Sequence, residues 1–294
     1  MTKAEVCLLD LPPCEVGEGI VWCDRRQMLW WVDIGASRVH SHAPATGATA
    51  HWDMPDKPGC LALTEGDEVV VALADGLHLL DPASSDLRLL TSFPDMPLGH
   101  RPNDGAVSRS GRFYVGTVAL VDRSKPDGVL YVFDPHRGVR RLFGGIHVSN
   151  GLVFSPDDRT AYLSDSWPEI RKIWAYDHNP ATGNLTRKRP YFDTAITAGR
   201  PDGACIDADG FYWMAGVGGG EILRLSPCGD VDLRIEVPVM RPSKPCFGGP
   251  DLGTLYITSI GASDGTRDDG RLITIDVPFR GLREGRLNLA KRGI

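Results

Sequence analysis

One phrase recurs along this chain: a turn rich in Asp or Gly, then a short apolar or aromatic strand. It reads RRQMLWWVD, GDEVVVALA, SGRFYVGT, DDRTAYLSD, DGFYWMA and LGTLYITS, ending at Asp33, Ala74, Thr117, Asp165, Ala215 and Ser259. The successive intervals are 41, 43, 48, 50 and 44 residues. After each phrase comes a second strand: RVHSH, GLHLLDP, VLYVFDP, KIWAYDH, EILRLSP and RLITIDV. Turn signals follow several of these, such as Pro44 to Gly47, Pro135 to Gly138 and Pro180 to Gly183. Strands and turns repeating at this period predict propeller blades. One blade cannot cover both of its own faces, and radial packing against neighbours does so while leaving only short edges. The expected fold is all-β: a six-bladed β-propeller with four-stranded antiparallel blades around a central metal-containing channel. No helical periodicity and no linker interrupts the pattern, so residues 1–294 are expected to form a single domain.

The channel's contents follow from the phase of the repeat. Counting back 13 to 15 residues from each end point reaches Glu18, Gly59, Asn103, Asn150, Asp202 and Lys244. The innermost strands of a propeller surround its axis, so equivalent positions converge there. Glu18, Asn103, Asn150 and Asp202 offer two carboxylates and two amide oxygens. Such an all-oxygen set suits one divalent ion, Ca²⁺, Mg²⁺ or Mn²⁺, while Zn²⁺ also accepts carboxylate. A glycine follows each of the four, directly in Glu18-Gly19, Asn150-Gly151 and Asp202-Gly203 and one residue later in Asn103-Asp104-Gly105. Taken singly, such pairs read as turns. Their recurrence in phase points to metal ligation.

Several longer stretches resemble the SMP-30/gluconolactonase/regucalcin-like (LRE-like) family. They are GEGIVWCDRRQMLWWVDI, RPNDGAVSRSGRFYVGT, SNGLVFSPDDRTAYLSDS, PDGACIDADGFYWMAGVGGGEILRLSP and FGGPDLGTLYITS, and together they cover nearly the whole chain. The resemblance implies a six-bladed propeller and a metal-dependent sugar lactonase, a hydrolase of cyclic esters. It places the family's metal ligands on Glu18, Asn150 and Asp202, with Asn103 close by or completing the site. Its substrate-binding Arg and Asn fall on Arg101 and Asn103. One departure matters: after the GT pair this chain reads GTVALVDRSK, without the acidic substrate-contacting residue of some members. Sugar preference is therefore not carried over.

A lactonase needs a Lewis acid at the carbonyl oxygen and a proton acceptor for the attacking water. Asp202 is the expected base, or else only positions the water. Two residues before the phased positions stand Lys57, Arg101 and Arg200, and side chains two apart on a strand share a face. With Lys244 in phase, they predict a basic pocket for an anionic substituent on the sugar, such as phosphate, sulfonate or carboxylate. His147, three before Asn150, is a further candidate for substrate contact. Two other functions fit the same scaffold: a metal-dependent esterase or organophosphate hydrolase, and a metal-binding regulatory propeller without turnover.

Other signals are set aside. DADG at Asp207 to Gly210 lacks the Glu an EF-hand loop needs, since Gly218 stands there. No H-E-x-x-H pair occurs. Trp30, Trp31, Trp174 and Trp213 are expected to pack between blades. A net charge of −6 argues against nucleic acid as the partner. No run reaches the length of a membrane span, and Pro12, Pro13 and Glu15 would interrupt a signal-peptide core. The seven scattered cysteines form no C-x-x-C pair, which suits reduced thiols in a cytoplasm. The expected protein is cytoplasmic, a monomer or small homo-oligomer, with a small-molecule sugar lactone as partner.

Overall fold

The computed structural model describes residues 5–261 and 268–289. Its strands form six four-stranded antiparallel sheets. The innermost strands are Gly17–Cys23, Cys60–Leu63, His100–Val107, Ser149–Phe154, Arg200–Ile206 and Pro242–Gly248. Each packs against the next, and the last packs against the first, so they close a ring: a six-bladed β-propeller. The recurring phrase is the second strand of every blade, and its partner in sequence is the third.

The sixth blade is assembled from both ends of the chain. Its outer strand is Val6–Leu8, which pairs antiparallel with Ile273–Asp276 through Val6 and Ile275, Cys7 and Thr274, and Leu8 and Ile273. The ring is thus latched by hydrogen bonds between the start and the end of the sequence.

Packing between blades supplies the core. Six apolar clusters are present, each drawn from two adjacent blades. Trp213 meets Phe247 edge-on between blades five and six, and Trp22 stacks on Tyr256 across the closure, with centroids 5.7 Å apart. Trp30, Trp31 and Trp213 are buried in these interfaces, and Trp174 packs partly buried against another. Each large side chain removed from water contributes roughly 1.5–3 kcal/mol. The alternating blade faces are what make those contributions available.

A second local device aims side chains at the axis. In blades one, three, four and five the pairing of the inner strand slips by one residue, between Glu18 and Val21, Pro102 and Gly105, Asn150 and Val153, and Pro201 and Ala204. Each slip is a β-bulge, which turns a side chain away from the ordinary alternation. Gly19 and Gly151 sit in two of them with φ of 59° and 61°, where a side chain would be strained. Blade two has no such bulge. Its Gly59 instead lies against the backbone of Pro102 and Asn103, leaving no room for a Cβ.

Candidate active site at the open end of the channel

The ring encloses two cavities, stacked along the inner strands. The first halves of those strands line a cavity of about 470 Å³. The second halves line one of about 40 Å³. The C-terminal segment crosses the narrow end. Gly281 bridges to Asp207 in blade five, Leu287 bridges to Thr64 in the opposite blade two, and Leu282, Glu284 and Gly285 between them line the small cavity.

Glu18, Asn103, Asn150 and Asp202 all line the large cavity, delivered there by the four bulges. Their partners fix them to different degrees. Asn103 Nδ2 donates to Asn150 Oδ1 and to the Ser149 carbonyl, both at 2.9 Å. Asn150 Nδ2 donates to Ser166 Oγ at 2.8 Å, and Ser166 in turn donates to the Pro201 carbonyl. This relay ties blades three, four and five together and turns the Asn150 oxygen toward Asn103. Arg101 Nη1 donates to Asn103 Oδ1 at 2.8 Å and to the Pro102 carbonyl at 2.7 Å.

The carboxylates are held far more sparsely. Glu18 is only 8% exposed and accepts one bond, 3.2 Å from its neighbour's Gly19 N–H. Asp202 is 5% exposed and accepts no hydrogen bond from the described residues. Burial, then repulsion from Asp202 and Asp104, pushes the Glu18 carboxyl well above the usual range. Burial and Asp104 likewise raise Asp202, to about 7, against the opposing pull of Arg200, Lys244 and Arg241. A buried charge without a partner is costly. Two such carboxylates facing one space, with the Asn150 oxygen beside them, form a donor set a hard cation fits.

The cavity wall is otherwise basic. Lys57, Arg101, Arg123, Arg200 and Arg241 line it, and none forms an ion pair with a described carboxylate. Arg101 and Arg200 therefore do not simply neutralise Glu18 and Asp202. Burial and the neighbouring Arg123 lower Arg101 to about 10, which leaves it a cation near pH 7. Ile34, Leu120, Val148, Trp167 and Ile260 supply apolar wall between these charges.

Two expected substrate residues do not line this cavity. Lys244 is buried among the residues of the small one, where its ammonium pairs with Asp104 Oδ1 and donates to the Gly105 carbonyl at 3.0 Å. The reason is register: in blade six the extra residue is Ser243 and Lys244 is already paired again opposite Thr258, whereas Glu18 and Asn150 stand at the start of their slips and Asn103 and Asp202 within theirs. A bulge displaced by one residue sends the side chain the other way. His147 stands behind the wall, its Nδ1 2.9 Å from Asp165 Oδ2 and its ring stacked on Trp167 at 5.8 Å. It braces Trp167 rather than facing the cavity. Sequence reasoning also missed three residues: Asp104, which holds Lys244 and receives the Leu152 N–H at 2.9 Å, and the wall cations Arg123 and Arg241.

A family model described as SMP-30/Gluconolactonase/LRE-like region matches residues 16–261. The 6-deoxy-6-sulfogluconolactonase of Pseudomonas putida is 38% identical over 247 residues, 84% of each chain. The L-arabinolactonase of Azospirillum brasilense is 34% identical over 256 residues, covering 85% of this chain and 83% of that one. Among solved structures, a calcium-binding regucalcin from Agrobacterium tumefaciens superposes with a TM-score of 0.89 at 28% identity, covering 96% of this chain and 97% of that one.

Proposed function

Since this chain belongs to the SMP-30/gluconolactonase/LRE-like family, we propose that it hydrolyses a sugar lactone in the large cavity, with one divalent cation bound. The observation that carries the reading is the pair of buried, nearly unbonded carboxylates Glu18 and Asp202 beside the Asn150 oxygen. Glu18, Asn150 and Asp202 are the ligands we propose, with Asn103 completing the set. Calcium is the ion favoured by the name of the regucalcin neighbour, and Mg²⁺, Mn²⁺ and Zn²⁺ remain candidates by donor chemistry.

The bound ion would polarise the lactone carbonyl as a Lewis acid. The rest of the chemistry falls to the protein. Asp202 accepts the proton of the attacking water and returns it to the ring oxygen as the ester bond breaks. Arg101, anchored through Asn103 and the Pro102 carbonyl, keeps its other N–H groups for substrate oxygens. Asn103 is locked by its bonds to three partners and so holds Arg101 and Asn150 at a fixed spacing. Trp167 and Leu120 cover the apolar face of the sugar and exclude water from it.

We treat the whole chain as one propeller unit. We place it in the cytoplasm, where its seven free cysteines stay reduced. No helix among the described residues is long and apolar enough to cross a membrane. The test is hydrolysis of a lactone panel by chelated protein with single divalent ions added back. Turnover restored by one of the ions supports the proposal. Tight metal binding without turnover of any lactone would favour a regulatory propeller instead.

A further inference from the structure

The cations of the large cavity are more numerous than its chemistry requires. Elsewhere several buried and half-buried bases are paired, Arg112 with Asp134, Arg224 with Asp207 and Asp232, Arg234 with Glu221, Arg286 with Asp24 and Lys244 with Asp104, while Arg109, Arg171 and Arg271 bond backbone carbonyls at scattered places. Around the cavity, five bases face two carboxylates, and no described carboxylate pairs with any of the five. A proposed divalent ion would add to that positive excess. Arg200 is the one base lining the cavity whose buried Nε has no hydrogen-bond acceptor among the described residues, a state it shares with Arg109, Arg171 and Arg271 outside the cavity. Among the described residues Arg123 reaches only the Ala119 carbonyl, at 3.2 Å, and Arg241 only the Gly261 carbonyl, at 3.4 Å.

Position narrows what these groups face. Arg101 and Arg200 precede Asn103 and Asp202 by two residues on the same inner strands. Two strand residues span about 7 Å, and all four side chains line the large cavity. Lys57 and Arg123 are exposed and Arg241 half-buried, all further toward the mouth. A six-carbon lactone with its carbonyl beside Glu18 and Asp202 would therefore present its far carbon to the arginines. One guanidinium satisfies a carboxylate with two parallel bonds. Several guanidiniums around one space suit a group with three terminal oxygens.

We infer that the substrate is a sugar lactone bearing a tetrahedral oxyanion, a sulfonate or phosphate, on the carbon farthest from the carbonyl. Arg123, Arg200 and Arg241 bind that group, and Lys57 attracts it from the rim. The inference rests on the lactonase reading and sharpens it to a substrate class.

The experiment compares glucono-1,5-lactone with its 6-phosphate and its 6-deoxy-6-sulfonate on metal-loaded protein. A parallel calorimetric titration uses the open acids gluconate and gluconate 6-phosphate. An anionic lactone is expected to have a kcat/KM at least about tenfold above the neutral one, the size of one or more charge-assisted hydrogen bonds. That ratio falls as salt rises, because exposed charges are screened within about 10 Å at 0.1 M. It also falls about tenfold in Arg123→Ala and in Arg241→Gln, through KM more than kcat. Sulfonate and phosphate are separate arms, and preference for either one supports the inference. Equal or better turnover of the neutral lactone, with a ratio unmoved by both variants, would overturn the anionic subsite and leave the lactonase intact. No turnover of any lactone with any divalent ion would sink the lactonase reading itself. The titration then decides the anion site, which fails if gluconate 6-phosphate binds no more tightly than gluconate.

Discussion

The two ends of the channel are made from the same six strands and settle their charges in opposite ways. At the narrow end Lys244 and Asp104 are both buried, and they are paired directly. Asp104 also caps the Leu152 N–H, so the pair joins blades three, four and six. At the wide end two buried carboxylates have almost no donors, and five bases have no described carboxylate. Folding alone gains nothing from the second arrangement, since unpaired buried charge is destabilising. The paired end explains stability, and the unpaired end marks where ligands are expected.

Breaking the wide end should abolish activity while sparing the fold. Asp202→Asn is expected to lower lactone turnover by about 10²–10⁴-fold, with cooperative unfolding retained. Turnover within about threefold of the parent would remove Asp202 from the base role, a margin small beside that range. Breaking the narrow end should do the reverse. Lys244→Met leaves Asp104 buried and unpaired, a loss of about 3–5 kcal/mol by denaturant unfolding. The double change Lys244→Met with Asp104→Leu should recover part of that loss. Were Lys244→Met as stable as the parent but impaired in KM, Lys244 would be a substrate residue after all.

A smaller effect tests the bulges that separate the two ends. Gly151→Ala places a side chain at a φ of 61° against Tyr212 and Ser164. The backbone strain alone is worth about 1–3 kcal/mol. Metal affinity should fall with stability in this variant, because the bulge aims Asn150. The least effect is a pH dependence. Glu18 and Asp202 have raised proton affinity in the folded, metal-free protein, so the folded state holds more protons than the unfolded one above the ordinary carboxylate range. That contribution to stability is full at low pH and fades as pH rises from about 4 toward 7. Saturating divalent ion should flatten this slope, which thermal melts with and without the ion would reveal.

Sequence made some of this visible and hid the rest, for physical reasons. The second and third strands of each blade are apolar and periodic, so they repeat legibly. Outer strands such as Ala48–Asp53 and Asn184–Asp193 are mostly exposed, and their polar residues carry no alternation to detect. Pairing of Val6 with Ile275 leaves no local trace at all. Phase within the repeat brought out Glu18, Asn103, Asn150 and Asp202, because equivalent bulges put them at one level. The same phase misled at Lys244, where a bulge shifted by one residue is invisible in the letters. Asp104 had a signal, the extra residue in Asn103-Asp104-Gly105, but its partner lies 140 residues away. Arg123 stands in a loop outside the inner strands and Arg241 immediately before one, so neither is in phase.

Anomalous diffraction from crystals grown with Mn²⁺ locates the ion directly. A single strong peak is expected within bonding distance of Glu18, Asn150 and Asp202 at the wide end of the channel. A peak beside Asp104 or Glu284 at the narrow end, or none at a concentration that supports turnover, would contradict that assignment.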